Sequence, residues 1–263
     1  MTNRPLTRAS QLSALLIAGI LLAAAPANAG TSLLGWWGRV LGFNPRLVGH
    51  DLNGSSLNGD ALEADPIQSV SLLGVVLDGK ELGDVTIDGS RLRGLDADGR
   101  KLKGEGFVGA TFQATLANGG ALVLQIDDLY DHPDKAMRDV SLYEVSYLAD
   151  EGLRSLCGVD AQGEAVPALA LRGTWDLSVG TSTGGDHVDD PGTFTFACQG
   201  YVLSKCVEAG YKPWRKVMSC APGQGCTKTT LASHHQACTR MLRADYCGDG
   251  SSHTVDGVMV NFY

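Results

Sequence analysis

Val85-Thr86-Ile87-Asp88-Gly89-Ser90-Arg91-Leu92-Arg93-Gly94 holds two turns of one repeating pattern. An apolar residue recurs every five positions. The series runs Leu47, Leu52, Leu57, Leu62, Ile67, Leu72, Leu77, Leu82, Ile87, Leu92, Ala97, Leu102, Phe107 and Phe112. A small residue stands two places after each, from Gly49 to Ala114, and Asp84 alone breaks that second series. A period of five fits neither a helix, at 3.6 residues per turn, nor a simple strand, which alternates every two. It predicts short β elements separated by glycine turns over residues 46–119.

The spacing resembles that of pentapeptide-repeat proteins, in which a small residue, Asp or Asn, a central Leu or Phe, a polar residue and Gly repeat. The resemblance implies a four-sided right-handed β-helix, with the central residue inward and Gly at each corner. One position departs from it. Two places before the central residue the chain carries His50, Asp60, Asp65, Lys80, Arg100 and Glu105. An unpaired charge inside a narrow coil is costly. Two arrangements are therefore expected for 46–119: a solenoid-like coil, or a stack of short strands.

Composition sets the wider frame. The chain has 263 residues and a net charge of −8, with hydrophobic residues at 44%. It is long and apolar enough to bury a core. Its acidic balance argues against nucleic acid as a partner. Arg4 and Arg8, an apolar run from Leu12 to Ala25 and the small residues Ala27-Asn28-Ala29 read as a signal peptide over residues 1–29. The apolar run is too short to span a bilayer, and no later segment is long and apolar enough to do so. The expected location is secreted or periplasmic, with an unidentified envelope or extracellular partner. Residues 30–45, with Trp36 and Trp37, read as an apolar cap or linker; the tryptophans also suit docking on a partner or a membrane interface.

Export implies an oxidising compartment. The seven cysteines, Cys157, Cys198, Cys206, Cys220, Cys226, Cys238 and Cys247, all lie in the C-terminal half. An odd count leaves at least one thiol outside intrachain pairs. Cys220 and Cys226, with Pro222 and Gly223 between them, suit a small closed loop. The remaining pairings stay open.

Beyond Gly119 the pattern changes. Strands are predicted over 121–126, 140–148, 169–176 and 192–198, with a loop over Asp127–Asp139. A helix is predicted over Tyr201–Ala209, ended by Gly210. A second is predicted from Ser233 as N-cap to about Ala244, with Ala237, Met241 and Ala244 on its stripe. The expected class is α+β and β-dominated: a period-five β segment, then a disulfide-stapled domain over 120–263 with two short helices.

Several separated blocks agree in order with one family. They are Phe194-Thr-Phe-Ala-Cys-Gln-Gly200, Lys205-Cys-Val-Glu-Ala-Gly-Tyr-Lys-Pro-Trp214, and the tract from His235 to Gly257 containing Ala244-Asp245-Tyr246-Cys247. Together they resemble the ADYC domain of exported bacterial proteins, over roughly 120–263. The resemblance implies no particular reaction. It also implies a further cysteine beyond the block at Val258–Tyr263, which would leave one of the seven thiols here without its mate.

Motifs for chemistry are sparse. His253 with Asp245 and Asp256 is the best candidate set: the histidine would serve as general base and a carboxylate would fix its tautomer. Asp249-Gly250 and Asp256-Gly257 are also ordinary turn dipeptides. All seven cysteines are disulfide candidates; Cys247 is the thiol to test for nucleophilic chemistry, which needs an activating neighbour, and a disulfide there is the leading expectation. His234 and Cys238 share a helix face but lack the further ligands of a zinc site. Asp96-Ala-Asp-Gly99 imitates only the start of a calcium loop. Neither metal nor cofactor is expected. Lys212-Pro-Trp-Arg-Lys216 is a basic, aromatic patch suited to an anion or polymer, or to ordinary packing with solvated charges. The leading expectation is a non-catalytic binding or scaffolding module. The rival is a hydrolase using His253 with Asp245 or Asp256.

Overall fold

The five-residue spacing has a simple structural meaning. Leu72, Leu82, Leu92, Phe107 and Phe112 are buried in one core, and Leu77, Ile87 and Leu102 pack against it. Two places after the apolar positions, Gly74, Gly79, Asp84, Gly89, Gly99, Gly104 and Gly109 all take positive φ. Most quintets therefore pair an inward side chain with a left-handed turn. Asp84 breaks the small series in sequence yet keeps the conformation, at φ 48°. Asp tolerates that region better than most side chains. The charged positions Lys80, Arg100 and Glu105 are exposed, so none is buried unpaired.

The computed structural model describes residues 57–59, 62, 65–149, 152–221 and 225–253. All belong to one unit of contacts. Residues 1–29, where a signal peptide is expected, the segment 30–45 and most quintets before Ile67 lie outside the described residues, as does Asp256.

Among the described residues, seven strands carry the period-five segment. They are β1 (Ile67–Ser71), β2 (Val76–Leu77), β3 (Lys80–Glu81), β4 (Gly83–Asp88), β5 (Arg91–Leu95), β6 (Lys101–Lys103) and β7 (Thr111–Leu116). Their pairings are antiparallel, as in β2 with β3, β4 with β5, and β5 with β6. The described quintets are thus a stack of short strands, whereas a wound coil stacks its sides in parallel.

Nine strands follow. They are β8 (Ala121–Asp131), β9 (Ser141–Ala149), β10 (Gly152–Ser155), β11 (Ala168–Arg172), β12 (Thr174–Trp175), β13 (His187–Val188), β14 (Thr193–Cys198), β15 (Lys216–Ala221) and β16 (Gly225–Thr230). The α-helices among the described residues are α1 (Val202–Glu208) and α2 (Ala232–Leu242).

Strands from both parts of the chain close one barrel. β7 pairs with β8, β8 with β9, β9 with β11, and β11 with β14. β1 completes the circuit: Val70 faces Phe194 of β14 and Ala114 of β7. Closing a six-stranded sheet on itself removes its open edges. Residues on either side of position 119 therefore share one sheet.

Alternation sorts the side chains. Phe112, Leu124, Ile126, Tyr143, Ala168, Ala170, Phe194 and Phe196 belong to the barrel core. Phe194 lies 4.7 Å from Phe196 and 5.6 Å from Phe112, both edge-on, the favoured aromatic geometry. Leu142, Leu169, Leu171 and Ala197 face outward into a second core with Trp175, α1 and α2. β11 is buried on both faces, which explains its unbroken apolar run. The β4–β5 turn meets the barrel through Tyr143. Its hydroxyl donates to the Ser90 carbonyl at 2.9 Å and accepts from the Leu92 N–H at 3.0 Å.

Three expectations change. β8 does not stop at Ile126; a register shift between Ile126 and Asp128 carries it to Asp131, so acidic residues sit on a bulged strand and not in a loop. The strand expected over 169–176 breaks at Gly173, φ 77°. A Cβ there would lie 2.4 Å from the Val188 carbonyl. The second helix begins at Ala232, after Leu231 and not Ser233. Its buried face is His235, Cys238, Thr239 and Leu242, while Met241 is exposed and Ala244 lies past the end. A disulfide from Cys206 to Cys238 and a hydrogen bond between His235 and the Leu203 carbonyl, 3.1 Å, hold that face inward.

Candidate functional site

The Ala244-Asp245-Tyr246-Cys247 segment starts where α2 stops. Ala244 takes φ 55°. Its N–H donates to the Met241 carbonyl at 3.0 Å, and the Asp245 N–H to the Arg240 carbonyl at 2.9 Å. This pair is a Schellman ending with Ala where Gly is usual.

Asp245 is buried, and its side chain is turned into its own loop. Oδ1 accepts from the N–H groups of Gly248 at 2.9 Å and Asp249 at 3.0 Å. Oδ2 accepts from the Gly250 N–H at 3.1 Å and from Arg240 at 2.5 Å. Arg240 also holds Asp186 at 2.6 Å. The loop is pressed onto residues 178–186: the Gly180 N–H donates to the Asp249 carbonyl at 2.8 Å. A Cβ on Gly184 would lie 2.3 Å from that carbonyl, so only glycine permits the approach.

His253 ends the loop. It is exposed, and its N–H donates to the Ala244 carbonyl at 3.0 Å. Its ring lies 6.5 Å from that of Tyr246 at an interplanar angle of 23°. Asp249 sits below the usual carboxylate range, chiefly through the Ser251 N–H it accepts at 2.9 Å, with His253 a smaller influence. Asp245 and His253 thus lie in one loop, with the Asp245 carboxylate occupied by backbone and Arg240. Asp256 is outside the described residues.

Six cysteines form three disulfides: Cys157–Cys198, Cys206–Cys238 and Cys220–Cys226. The first belongs to the barrel core and the second joins α1 to α2. The third bridges β15 and β16, where sequence spacing predicts a small ring. Cys247 is free and exposed, and no hydrogen bond or ion pair joins it to another described residue. His234 is exposed while Cys238 is oxidised, so that pair does not form a metal face. Among the described residues, no group of three or more His, Cys, Asp or Glu side chains is arranged to hold a metal. Asp96 accepts the N–H groups of Asp98 and Arg100 at 2.9 and 2.8 Å, the geometry of a β-hairpin turn.

The Lys212–Lys216 patch divides. Lys212 is buried; its ammonium donates to Asp139 and to the Ala136 carbonyl at 3.3 Å. Trp214 is half-buried and Arg215 is exposed. Sequence reasoning missed the other half of this assembly, Arg138 and Asp139. It also missed a buried array in which His132 Nε2 meets Glu208 at 3.3 Å and Gln199 donates to Glu208 at 2.6 Å. His132 Nδ1 accepts the Asp134 N–H, so Nε2 carries the proton donated to Glu208.

Three disulfides accord with an extracellular or periplasmic protein, and no described helix is long and apolar enough to cross a membrane. No curated protein and no solved structure was found to match the chain. The family model of the ADYC domain matches residues 104–263, beginning within the period-five segment and covering the barrel strands from β7 to β14, both helices and the Asp245 loop. The chain belongs to the ADYC domain family.

Proposed function

We propose that the chain is an exported, non-catalytic module that binds a partner in the cell envelope or outside the cell. The leader-like residues 1–29 and the three disulfides support export. The observation that carries the non-catalytic reading is the Asp245 carboxylate, which holds four hydrogen bonds within its own loop and with Arg240. A carboxylate so engaged fixes a turn; a general base or its orienting partner needs lone pairs directed at the proton it handles.

The hydrolase reading draws support from the exposure of His253 beside Asp249. The test is turnover of ester, peptide, glycoside and phosphate-ester substrates by the full mature chain and by His253→Ala. No turnover above buffer is expected. Turnover that His253→Ala abolishes would overturn the proposal. N-terminal sequencing of the native protein is expected to begin at Gly30.

A further inference from the structure

Two loops far apart in sequence meet beside the barrel. The first follows β8: Asp134 caps a 3-10 turn at Lys135–Met137 by accepting the Ala136 N–H at 2.9 Å. Arg138 and Asp139 come next. The second follows α1, and its Arg215 N–H donates to the Lys212 carbonyl at 3.0 Å. Lys212, buried between them, is the staple. The β4–β5 turn supports both. Arg91 donates to the Arg138 carbonyl at 2.5 Å and to Asp131 at 3.0 Å. Gly89 fits beneath the Trp214 ring, where a Cβ would come within 3.2 Å of the indole nitrogen.

Together they enclose an open recess of about 360 Å³ lined by Ala136, Arg138, Asp139, Lys212, Trp214 and Arg215. That volume lies within the range of small-molecule sites. The charge in it is unbalanced. Asp139 is the one acid in the lining. Partial burial opposes its charge, yet hydrogen bonds from Lys212 and the Trp214 indole hold it below the usual carboxylate range. That leaves the guanidinium groups of Arg138 and Arg215 with no hydrogen bond or ion pair to another described residue. On a chain with a net charge of −8, two unpartnered guanidinium groups lining one recess favour an anion. Guanidinium forks match carboxylate and phosphate oxygens in paired hydrogen bonds. The Trp214 face offers an apolar wall for the body that carries them.

We infer that this recess is a binding site for an oxyanion-bearing ligand, held by Arg138 and Arg215 with its body against Trp214. The inference rests on the binding-module reading and supplies its ligand class. The oxyanion is a carboxylate or a phosphate group, and the probes below separate the two.

The experiment follows the Trp214 indole N–H signal of the ¹⁵N-labelled, oxidised full chain by NMR. Inorganic phosphate, glucose 6-phosphate, glucuronate and neutral glucose are titrated at constant ionic strength. At least one acidic probe is expected to shift the signal saturably, and glucose is not. A response to glucuronate alone assigns a carboxylate, and a response to the phosphates alone assigns a phosphate group. Arg138→Gln and Arg215→Gln are each expected to weaken binding by roughly tenfold or more, the scale of a lost charged hydrogen bond. Both side chains are exposed, so folding is expected to survive, and the unchanged remainder of the spectrum checks it. Arg100→Gln, which removes a surface pair with Asp98, controls for net charge and is expected to leave binding intact. No saturable shift, an equal shift with glucose, or unchanged affinity in both arginine variants overturns the inference. Turnover abolished by His253→Ala would instead overturn the module reading, whatever the recess binds.

Discussion

Replacing Asp245 separates a structural carboxylate from a chemical one. Asp245→Ala leaves the N–H groups of Gly248, Asp249 and Gly250 without their acceptor and removes one partner of Arg240. Arg240 keeps Asp186 and the Gly184 carbonyl, so its charge is not stranded. The Gly250 bond is buried and the other two backbone bonds are partly so. A stranded buried N–H costs about 1–3 kcal/mol, and one that water can reach costs less. With the lost charged hydrogen bond to Arg240, itself about 1.5 kcal/mol, the sum is about 4 kcal/mol. Asp245→Asn keeps the shape and one acceptor oxygen, but its NH2 group faces two donors in either orientation, the Gly248 and Asp249 N–H groups or the Gly250 N–H and Arg240. It is expected to cost about 2 kcal/mol. Urea unfolding with disulfides intact at neutral pH, followed by tryptophan fluorescence, measures both. Two variants within about 0.5 kcal/mol of the parent, the range of neutral surface changes, would refute the claim that this carboxylate holds the loop.

Burial holds His235 neutral and lowers its pKa to about 4. In the unfolded chain it takes a proton below about 6.5, so stability falls as pH drops from about 6.5 to about 4 and is unaffected by this group above that window. The contribution is about 3 kcal/mol; His235→Gln is expected to flatten that part of a stability–pH curve, and an unchanged slope would refute the assignment. Tyr143→Phe orphans the Ser90 carbonyl and the Leu92 N–H. It is expected to cost about 2–3 kcal/mol, and spectrophotometric titration should find Tyr143 ionising only near pH 12, where burial has pushed it. Removing Cys206–Cys238, with a sequence separation of 32, is expected to cost about 4 kcal/mol, against about 2 for Cys220–Cys226, with a separation of 6. Equal losses would contradict the loop-length argument.

What sequence made legible was local. Alternation over 140–148 and 192–198 marks β9 and β14 because each presents one face to the barrel core. Gly210, at φ 100°, marks the end of α1. The period of five marks an inward residue and a left-handed turn in most quintets. The closure of the barrel was not legible, because Val70 finds its partners at Phe194 and Ala114 and nothing near Val70 names them. The inward face of α2 was misread because half of it, His235 and Thr239, is polar and escapes an apolar count. The candidate site was half-legible. The Asp249-Gly250 turn dipeptide is visible in sequence, but the bonds that tie Gly248, Asp249 and Gly250 to the Asp245 carboxylate are not. The recess was invisible as a whole because Ala136 and Lys212 meet across 76 residues.

The disulfide map tests the account most directly, because two of its bonds cross the two cores on which the fold rests. The native, oxidised chain would be alkylated without reduction, digested and mapped. The account predicts Cys157–Cys198, Cys206–Cys238 and Cys220–Cys226, with Cys247 the alkylated thiol. An alkylated Cys198 or Cys238, or a disulfide joining Cys247 to any of the six, would contradict the barrel, the helix pair and the site built on them.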